Sequence, residues 1–410
     1  MSAQTLVIVG AGQAGGWAAK TLRTEGFAGR IVLVGEEAHP PHERPPLSKA
    51  VMAGEAEAPS THLFKADEFA KLDLDFRPGA RAASIDRAAK RITLAGGESI
   101  GYDKLILCTG GAARRPKLPG ADGTRVHYLR TIADSLAIRA CLAEIRHLVV
   151  IGGGWIGLEV AATARKRGVQ VTVIEALPRL CERTVPPEIS AHLLALHRRN
   201  GVEVLLGAGV QAIEDGPAGV SIVLTDDRRV AGDAVVIGIG LAPNVELAQA
   251  VGLAVDNGIV VDEQGRTSDP DIFAAGDVAN APLACLGRRV RLESWANAQN
   301  QAIVAAKAAL GSDAHYDELP WFWSDQYDMN LQILGLPAKW PAPVVRGDAA
   351  GASFSLFYLE GERLAAVVSV NAPRDLRAVK KLMQSRKPVR AEDLANPGVQ
   401  LQRLSGAVNG

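Results

Sequence analysis

One ten-residue pattern occurs twice in the chain. Leu6 to Gly15 reads LVIVGAGQAG, and Leu148 to Gly157 reads LVVIGGGWIG. In each copy an apolar, β-branched run leads into G-x-G-x-x-G. A stretch of small and apolar residues with helical character follows, Ala14 to Leu22 and Ile156 to Ala164. Each stretch closes near a glycine, Gly26 or Gly168, and a second apolar run comes next, Ile31 to Val34 and Val171 to Ile174. Strand, glycine turn, helix and strand in that order make a right-handed βαβ unit with parallel strands. The expectation is an α/β fold with two Rossmann-type nucleotide-binding domains.

The glycines carry the chemistry. Gly10 allows the tight turn, Gly12 lets backbone approach a pyrophosphate, and Gly15 lets helix and strand pack closely. The free N–H groups at the helix start then face the phosphates. Gly152, Gly154 and Gly157 repeat the device. An acid follows the second strand of each unit, Glu36 and Glu175, where a ribose hydroxyl pair needs an acceptor. A carboxylate at Glu175 repels a 2'-phosphate, so NADH is expected over NADPH. Arg179 and Arg183 nearby argue in the other direction.

At 410 residues the chain is long enough for two or three cores. Beyond the second unit, Ala234 to Ile239 and Gly258 to Val261 read as strands. From Trp321 the texture changes. Phe354 to Leu359 and Leu364 to Val370 flank Glu360-Gly361-Glu362 as a hairpin, and Asp375 to Ser385 reads as a helix stopped by Pro388. A third, α+β domain is therefore expected over 321–410.

Lys plus Arg equals Asp plus Glu at 45 each, so bulk nucleic-acid binding is not expected. No run approaches the apolar length of a membrane span, and Met1 leads into an apolar strand at Thr5 without a charged-then-apolar signal, so the cytoplasm is expected. Cys108, Cys141, Cys181 and Cys285 form no C-x-x-C pair and no metal-ligand cluster; they read as reduced, mostly buried thiols, and no metal site is expected.

Four further motifs resemble one family: RPPLSK at Arg44 to Lys49, KLILCTG at Lys104 to Gly110, TSDPDIFAAGD at Thr267 to Asp277, and WFWSDQ at Trp321 to Gln326. They are similar to the FAD-dependent NADH:ferredoxin reductases, the reductase components of aromatic-ring dioxygenases and of bacterial cytochrome P450 systems. The resemblance covers nearly the whole chain, in order. It implies a glutathione-reductase-like fold, with an FAD-binding domain at 1–114 and 248–320, an NAD-binding domain at 115–247, and FAD extended between the two.

The resemblance also implies site residues. Gly10, Gly12, Ala14 and Gly15 line the FAD pyrophosphate turn, and Glu36 takes the ribose. Arg44, Ala82, Thr109, Gly110 and Arg130 contact FAD, Asp277 bonds the ribityl chain, and Trp295 lies by the flavin ring. Lys49 sits beside the isoalloxazine and pairs with Glu159; these two form the catalytic pair. Gly152, Gly154, Ile156, Gly157, Glu159, Glu175, Arg183 and Gly240 belong to the NADH side, and Trp323 is a further cofactor contact. Trp321 reads as core. His42 is closer to the P450 branch and ESWANAQNQ to the dioxygenase branch, so the terminal oxygenase stays open.

The expected reaction passes hydride from NADH to FAD, then single electrons to a [2Fe-2S] ferredoxin on a separate chain, since no four-cysteine cluster pattern occurs here. Arg374, Arg377, Lys380, Lys381, Arg386 and Lys387 are candidate docking cations. A disulfide reductase, or a peroxide- or oxygen-reducing relative, needs an active cysteine after the first βαβ unit, and Glu36 to Ala58 contains none. A membrane quinone reductase needs a C-terminal amphipathic anchor, and Pro388 and Pro397 break that region. The alternative from another class is a flavoprotein like apoptosis-inducing factor, with a non-catalytic role. The oligomeric state is not readable.

Overall fold

The computed structural model describes residues 4–217 and 219–404. The chain divides into two compact units: Met1–Pro45, Glu57–Ala112 and Leu241–Glu318 form the first, and Pro46–Ala56, Ala113–Gly240 and Leu319–Gly410 the second.

The first unit is built on a five-stranded parallel sheet, in the order Ile272–Ala274, Lys104–Leu107, Thr5–Val9, Arg30–Val34, Asp75–Arg77. Val7 at its centre pairs with Val32 on one side and Leu105 on the other. Strands buried on both faces need apolar residues at successive positions, which is why these segments read as continuous runs. Alternate side chains serve two cores. Leu6, Ile8, Ile31 and Leu33 pack under the helices Gln13–Thr24 and Trp295–Ala309, while Val7, Val9, Val32 and Val34 face the other way. Ala14 and Ala18 on one helix join Ala298 and Ala302 on the other in the first of these cores.

The second unit repeats the plan with the order Val202–Leu206, Gln170–Glu175, His147–Ile151, Ala234–Ile237, Val126–Tyr128. The helix Trp155–Lys166 follows the central strand. The same unit includes a five-stranded antiparallel sheet, in the order Trp321–Gln326, Met329–Leu334, Arg363–Val370, Phe354–Glu360, Val344–Gly347, with the helix Pro373–Ser385 against it.

Four local expectations change. The last long helix starts at Pro373 and ends because Arg386 turns left-handed (φ +53), two residues before Pro388. The strand from Ala234 stops at Ile237, ahead of Gly238-Ile239-Gly240, where Gly240 has a positive φ (+111). Of Gly258 to Val261 only Ile259–Val260 is strand. Trp321 is half-buried, packed at the edge of the core under the helix Pro373–Ser385 and not within it, and stacks on Trp323 with ring centroids 4.9 Å apart. All four cysteines are free, two of them buried and two half-buried. Among the described residues no helix is long and apolar enough to cross a membrane.

Candidate functional site

Each unit presents the same glycine turn at the C-terminal end of its central strand. Gly10 (φ +109) and Gly152 (φ +110) adopt a backbone conformation that side chains rarely take. A Cβ on Gly10 lies 2.1 Å from the Cys108 carbonyl oxygen, and one on Gly152 lies 2.4 Å from that of Gly238. Both carbonyls follow the neighbouring parallel strand. The third glycine is closed in as well: a Cβ on Gly15 or Gly157 falls 1.8 or 2.0 Å from the carbonyl oxygen of the first glycine of its turn.

The middle glycines are different. Around Gly12 the nearest atom is an Arg44 guanidinium nitrogen 3.9 Å away, and around Gly154 it is the Gly238 oxygen at 4.0 Å. Each is the N-cap of its helix and has no side-chain cap, so the first-turn N–H groups are left without a side-chain acceptor. Two glycines are thus required by packing, and the middle one leaves an open cradle at a helix N-terminus. That arrangement fits the diphosphate of a dinucleotide.

In the first unit, Arg44 extends its guanidinium toward the cradle and donates to Glu37 Oε1 at 2.7 Å. Glu37 Oε2 lies 3.5 Å from His42 Nε2. Burial, then the Arg44 charge, holds the His42 imidazole down at about 4. Glu36, the sequence candidate for the ribose, is 73 % exposed at the side chain, with Arg81 3.9 Å away. Glu37, the next residue and not singled out in the sequence, is the carboxylate bonded to the arginine beside the phosphate turn.

Thr109 and Gly110 are clamped by Asn244, a residue the sequence reading missed. Thr109 Oγ1 donates to the Asn244 carbonyl at 2.7 Å, Asn244 Nδ2 donates to the Thr109 carbonyl at 2.9 Å, and the Asn244 amide donates to the Gly110 carbonyl at 3.0 Å. Ala82 is buried at the start of the strand Ala82–Asp86. Asp277 follows Gly276, and its carbonyl accepts from Arg291 at 3.0 Å. Trp295 opens its helix just after the N-cap Ser294 and donates its indole N–H to Glu43 Oε1 at 3.0 Å.

In the second unit, Glu175 Oε2 accepts from the Gly153 amide at 2.6 Å and Oε1 from the Leu177 amide at 2.8 Å. The carboxylate is thereby fixed against the glycine turn. Arg179 is spent on structure: it donates to the Val185 carbonyl, Ser190 Oγ and the Glu182 carbonyl at 2.9–3.1 Å. It is not poised for a 2'-phosphate. Exposed Arg183 comes near Gly240, a guanidinium nitrogen lying 3.9 Å from where a Cβ would be. Ile156 in the first turn of the helix is 43 % exposed. Arg130 is half-buried and precedes the helix Ile132–Glu144, where Asp134 accepts its amide at 3.0 Å. Trp323 stacks on Trp321.

Lys49 and Glu159 meet in this unit. Lys49 Nζ lies 2.6 Å from Glu159 Oε2, and the Glu159 side chain is almost wholly buried. The segment bearing Lys49 is anchored on the helices: Ser135 Oγ donates to the Leu47 carbonyl, Thr163 Oγ1 to the Ser48 carbonyl, both at 2.7 Å, and Arg167 to the Met52 carbonyl at 3.1 Å. Cys108 and Cys181 supply no thiolate; burial pushes the Cys108 thiol up to about 12 and the Cys181 thiol higher still.

Comparison with known proteins bears on the whole chain. Residues 4–302 match the family model described as pyridine nucleotide-disulphide oxidoreductase, and 321–405 match the one described as reductase C-terminal. The chain is 43 % identical to the rhodocoxin reductase of Rhodococcus erythropolis, over 97 % of this chain and 93 % of that one. It is 44 % identical to the ferredoxin–NAD(+) reductase component of the anthranilate 1,2-dioxygenase system of Burkholderia cepacia, over 98 % and 99 %. A chain from the crystal structure of the covalent putidaredoxin reductase–putidaredoxin complex superposes with a TM-score of 0.95 at 40 % identity, covering 99 % of both. The twin glycine cradles, the parallel sheets behind them and these full-length matches agree: the chain belongs to the pyridine nucleotide-disulphide oxidoreductase family.

Proposed function

We propose that the chain is an NADH:ferredoxin oxidoreductase that holds FAD and passes electrons from NADH to a separate [2Fe-2S] ferredoxin serving a ring-hydroxylating dioxygenase or a cytochrome P450. The observation that carries this reading is the pair of open cradles, one in each unit, at Gly12 and Gly154. Relatives matched end to end are named as reductases of a dioxygenase system and of rhodocoxin. We assign FAD to residues 1–114 and 248–320, NADH to 115–247, and a third, C-terminal α+β domain to 321–410. We place the protein in the cytoplasm.

Bound FAD supplies the hydride acceptor and the means of releasing electrons one at a time. The chain's own residues bind, orient and hold charge. Helix N-termini beyond Gly12 and Gly154 take the diphosphates, and Arg44 adds a cation at the first. Thr109 and Gly110, locked by Asn244, form a fixed rim for FAD. Glu175, braced by two amides, accepts from the NADH ribose and disfavours a 2'-phosphate. Lys49, held at one end of a buried ion pair with Glu159, keeps a positive charge at Nζ for the negative charge of reduced flavin. Arg374, Arg377, Lys380, Lys381, Arg386 and Lys387 are all exposed on or after the helix Pro373–Ser385, a cationic face suited to an acidic ferredoxin.

The test is anaerobic mixing with NADH, followed by a [2Fe-2S] ferredoxin. Bleaching by NADH and reoxidation by the ferredoxin are expected. Bleaching with no reoxidation by any [2Fe-2S] partner removes the electron-acceptor part of the proposal.

A further inference from the structure

The Lys49–Glu159 pair is the end of a longer buried chain of hydrogen bonds. Ser48 Oγ and Lys49 Nζ both reach Glu159 Oε2, and Ser324 Oγ donates to Glu159 Oε1 at 2.7 Å. Gln326 Nε2 donates to Ser324 Oγ at 3.1 Å, and Gln326 Oε1 lies 2.8 Å from His197 Nε2. Tyr327 closes the series, its hydroxyl 3.4 Å from His197 Nδ1. Ser324, Gln326 and His197 are at most 1 % exposed. All of these residues belong to one unit.

Strand geometry brings the middle of the chain together. Ser324 and Gln326 are two apart on Trp321–Gln326 and so share the inward face, while Trp321 and Trp323 share the other. Gln326 is the last residue before the two-residue turn Tyr327-Asp328, in which Tyr327 is left-handed (φ +55). His197 comes from the last turn of the helix Pro187–Arg199.

The direction of every bond follows from donor and acceptor chemistry. An amide oxygen only accepts, so His197 carries its proton on Nε2 and leaves Nδ1 to accept from Tyr327. The Gln326 nitrogen then donates to Ser324, which has a single proton left and gives it to Glu159. A carboxylate with three donors and no hydrogen to offer terminates the series. Burial holds His197 neutral, its imidazole down at about 4, so the proton arrangement persists through the physiological range. A histidine serving only as core filler needs one partner. Here six side chains, Ser48, Lys49, Ser324, Gln326, His197 and Tyr327, align toward one carboxylate oxygen pair.

We propose that Gln326 and His197 are positioning residues that act through Ser324 to fix the Glu159 carboxylate, and with it the place of the Lys49 ammonium. The inference rests on the reading of Lys49 as the cation serving reduced flavin. An amide whose oxygen is not held by His197 is free to turn over, after which Ser324 can donate to it and abandon Glu159.

The experiment measures the reduction potential of the bound FAD together with KM for NADH and kcat of flavin reduction, in the FAD-loaded full chain. Lys49→Met lowers the potential. Ser324→Ala, a small change that removes only the hydroxyl, and His197→Phe shift it in the same direction. They lower kcat about three- to tenfold, less than a direct hydrogen bond to a charge would give because the loss reaches the Lys49 ammonium only through Glu159, and leave KM within about twofold. His197→Gln, which retains an N–H donor, restores both potential and kcat. A shift in Lys49→Met with none in Ser324→Ala or His197→Phe overturns the positioning proposal alone. No shift in Lys49→Met overturns the reading of Lys49 and this inference with it. Should His197→Phe fold poorly, Gln326→Met, read by the same potential and kcat, decides the matter.

Discussion

Replacing Gly154 by alanine separates the second cradle from the fold that carries it. A methyl group there meets nothing closer than 4.0 Å, so the sheet and helix have room for it. The cost to folding is that of a poorer N-cap, about 0.5–1 kcal/mol. The methyl does occupy the open side through which a phosphate reaches the first-turn N–H groups. Loss of one such charge-assisted hydrogen bond is worth roughly 1.5–3 kcal/mol. NADH affinity should therefore weaken by about 10- to 100-fold. The Gly10–Gly15 turn is untouched, so FAD content should stay at the wild-type level. Gly157→Ala is the contrasting control: its Cβ falls 2.0 Å from the Gly152 carbonyl oxygen, and backbone must move. It should lower the thermal midpoint as well as NADH affinity. The assay is an anaerobic NADH titration of flavin absorbance, with FAD quantified after denaturation. Wild-type NADH affinity in Gly154→Ala refutes the cradle argument.

Three other outcomes follow from the same geometry. Glu175→Ala removes the acceptor of the Gly153 and Leu177 amides, and kcat/KM for NADH should fall about tenfold or more while the preference over NADPH narrows; an unchanged NADH:NADPH ratio contradicts the role given to this carboxylate. Lys380→Glu with Lys381→Glu should raise KM for ferredoxin severalfold at low ionic strength, with the difference shrinking in salt, and a constant KM removes that face from docking. His42 and His197 are both held near 4 by burial, against 6.5 when unfolded, so the unfolded chain takes up protons first. Their stabilisation is complete above pH 6.5 and is lost as pH falls toward 4; a thermal midpoint that stays flat from pH 6.5 to 5 runs against it.

How much was legible in the sequence depended on how far each residue reaches along the chain. The glycine turns were readable because each position has a local cause: Gly10 and Gly152 need positive φ, and Gly15 and Gly157 lack space for a Cβ. The parallel strands were readable because burial on both faces demands unbroken apolar runs. Glu37 was not singled out beside Glu36, because nothing local marks it and only the fold brings Arg44 and His42 to it. Asn244 was missed because its partners, Thr109 and Gly110, lie 135 residues away for the first of them. Ser324 stood inside a recognised motif, yet its role depends on Glu159, 165 residues distant. His197 carried no sequence signal, since a lone histidine near a helix end reads as surface chemistry. The left-handed Arg386 was overlooked in favour of Pro388 because glycine, not arginine, is the usual residue at that position.

The central claim is that one chain holds two dinucleotides in twin cradles, one permanently and one in passing. An anaerobic titration of the purified protein tests it most directly, with flavin absorbance followed as NADH is added. The account predicts one FAD per chain and full bleaching near one equivalent of NADH. A protein that takes up no FAD, or takes it up and is not reduced by NADH, contradicts it.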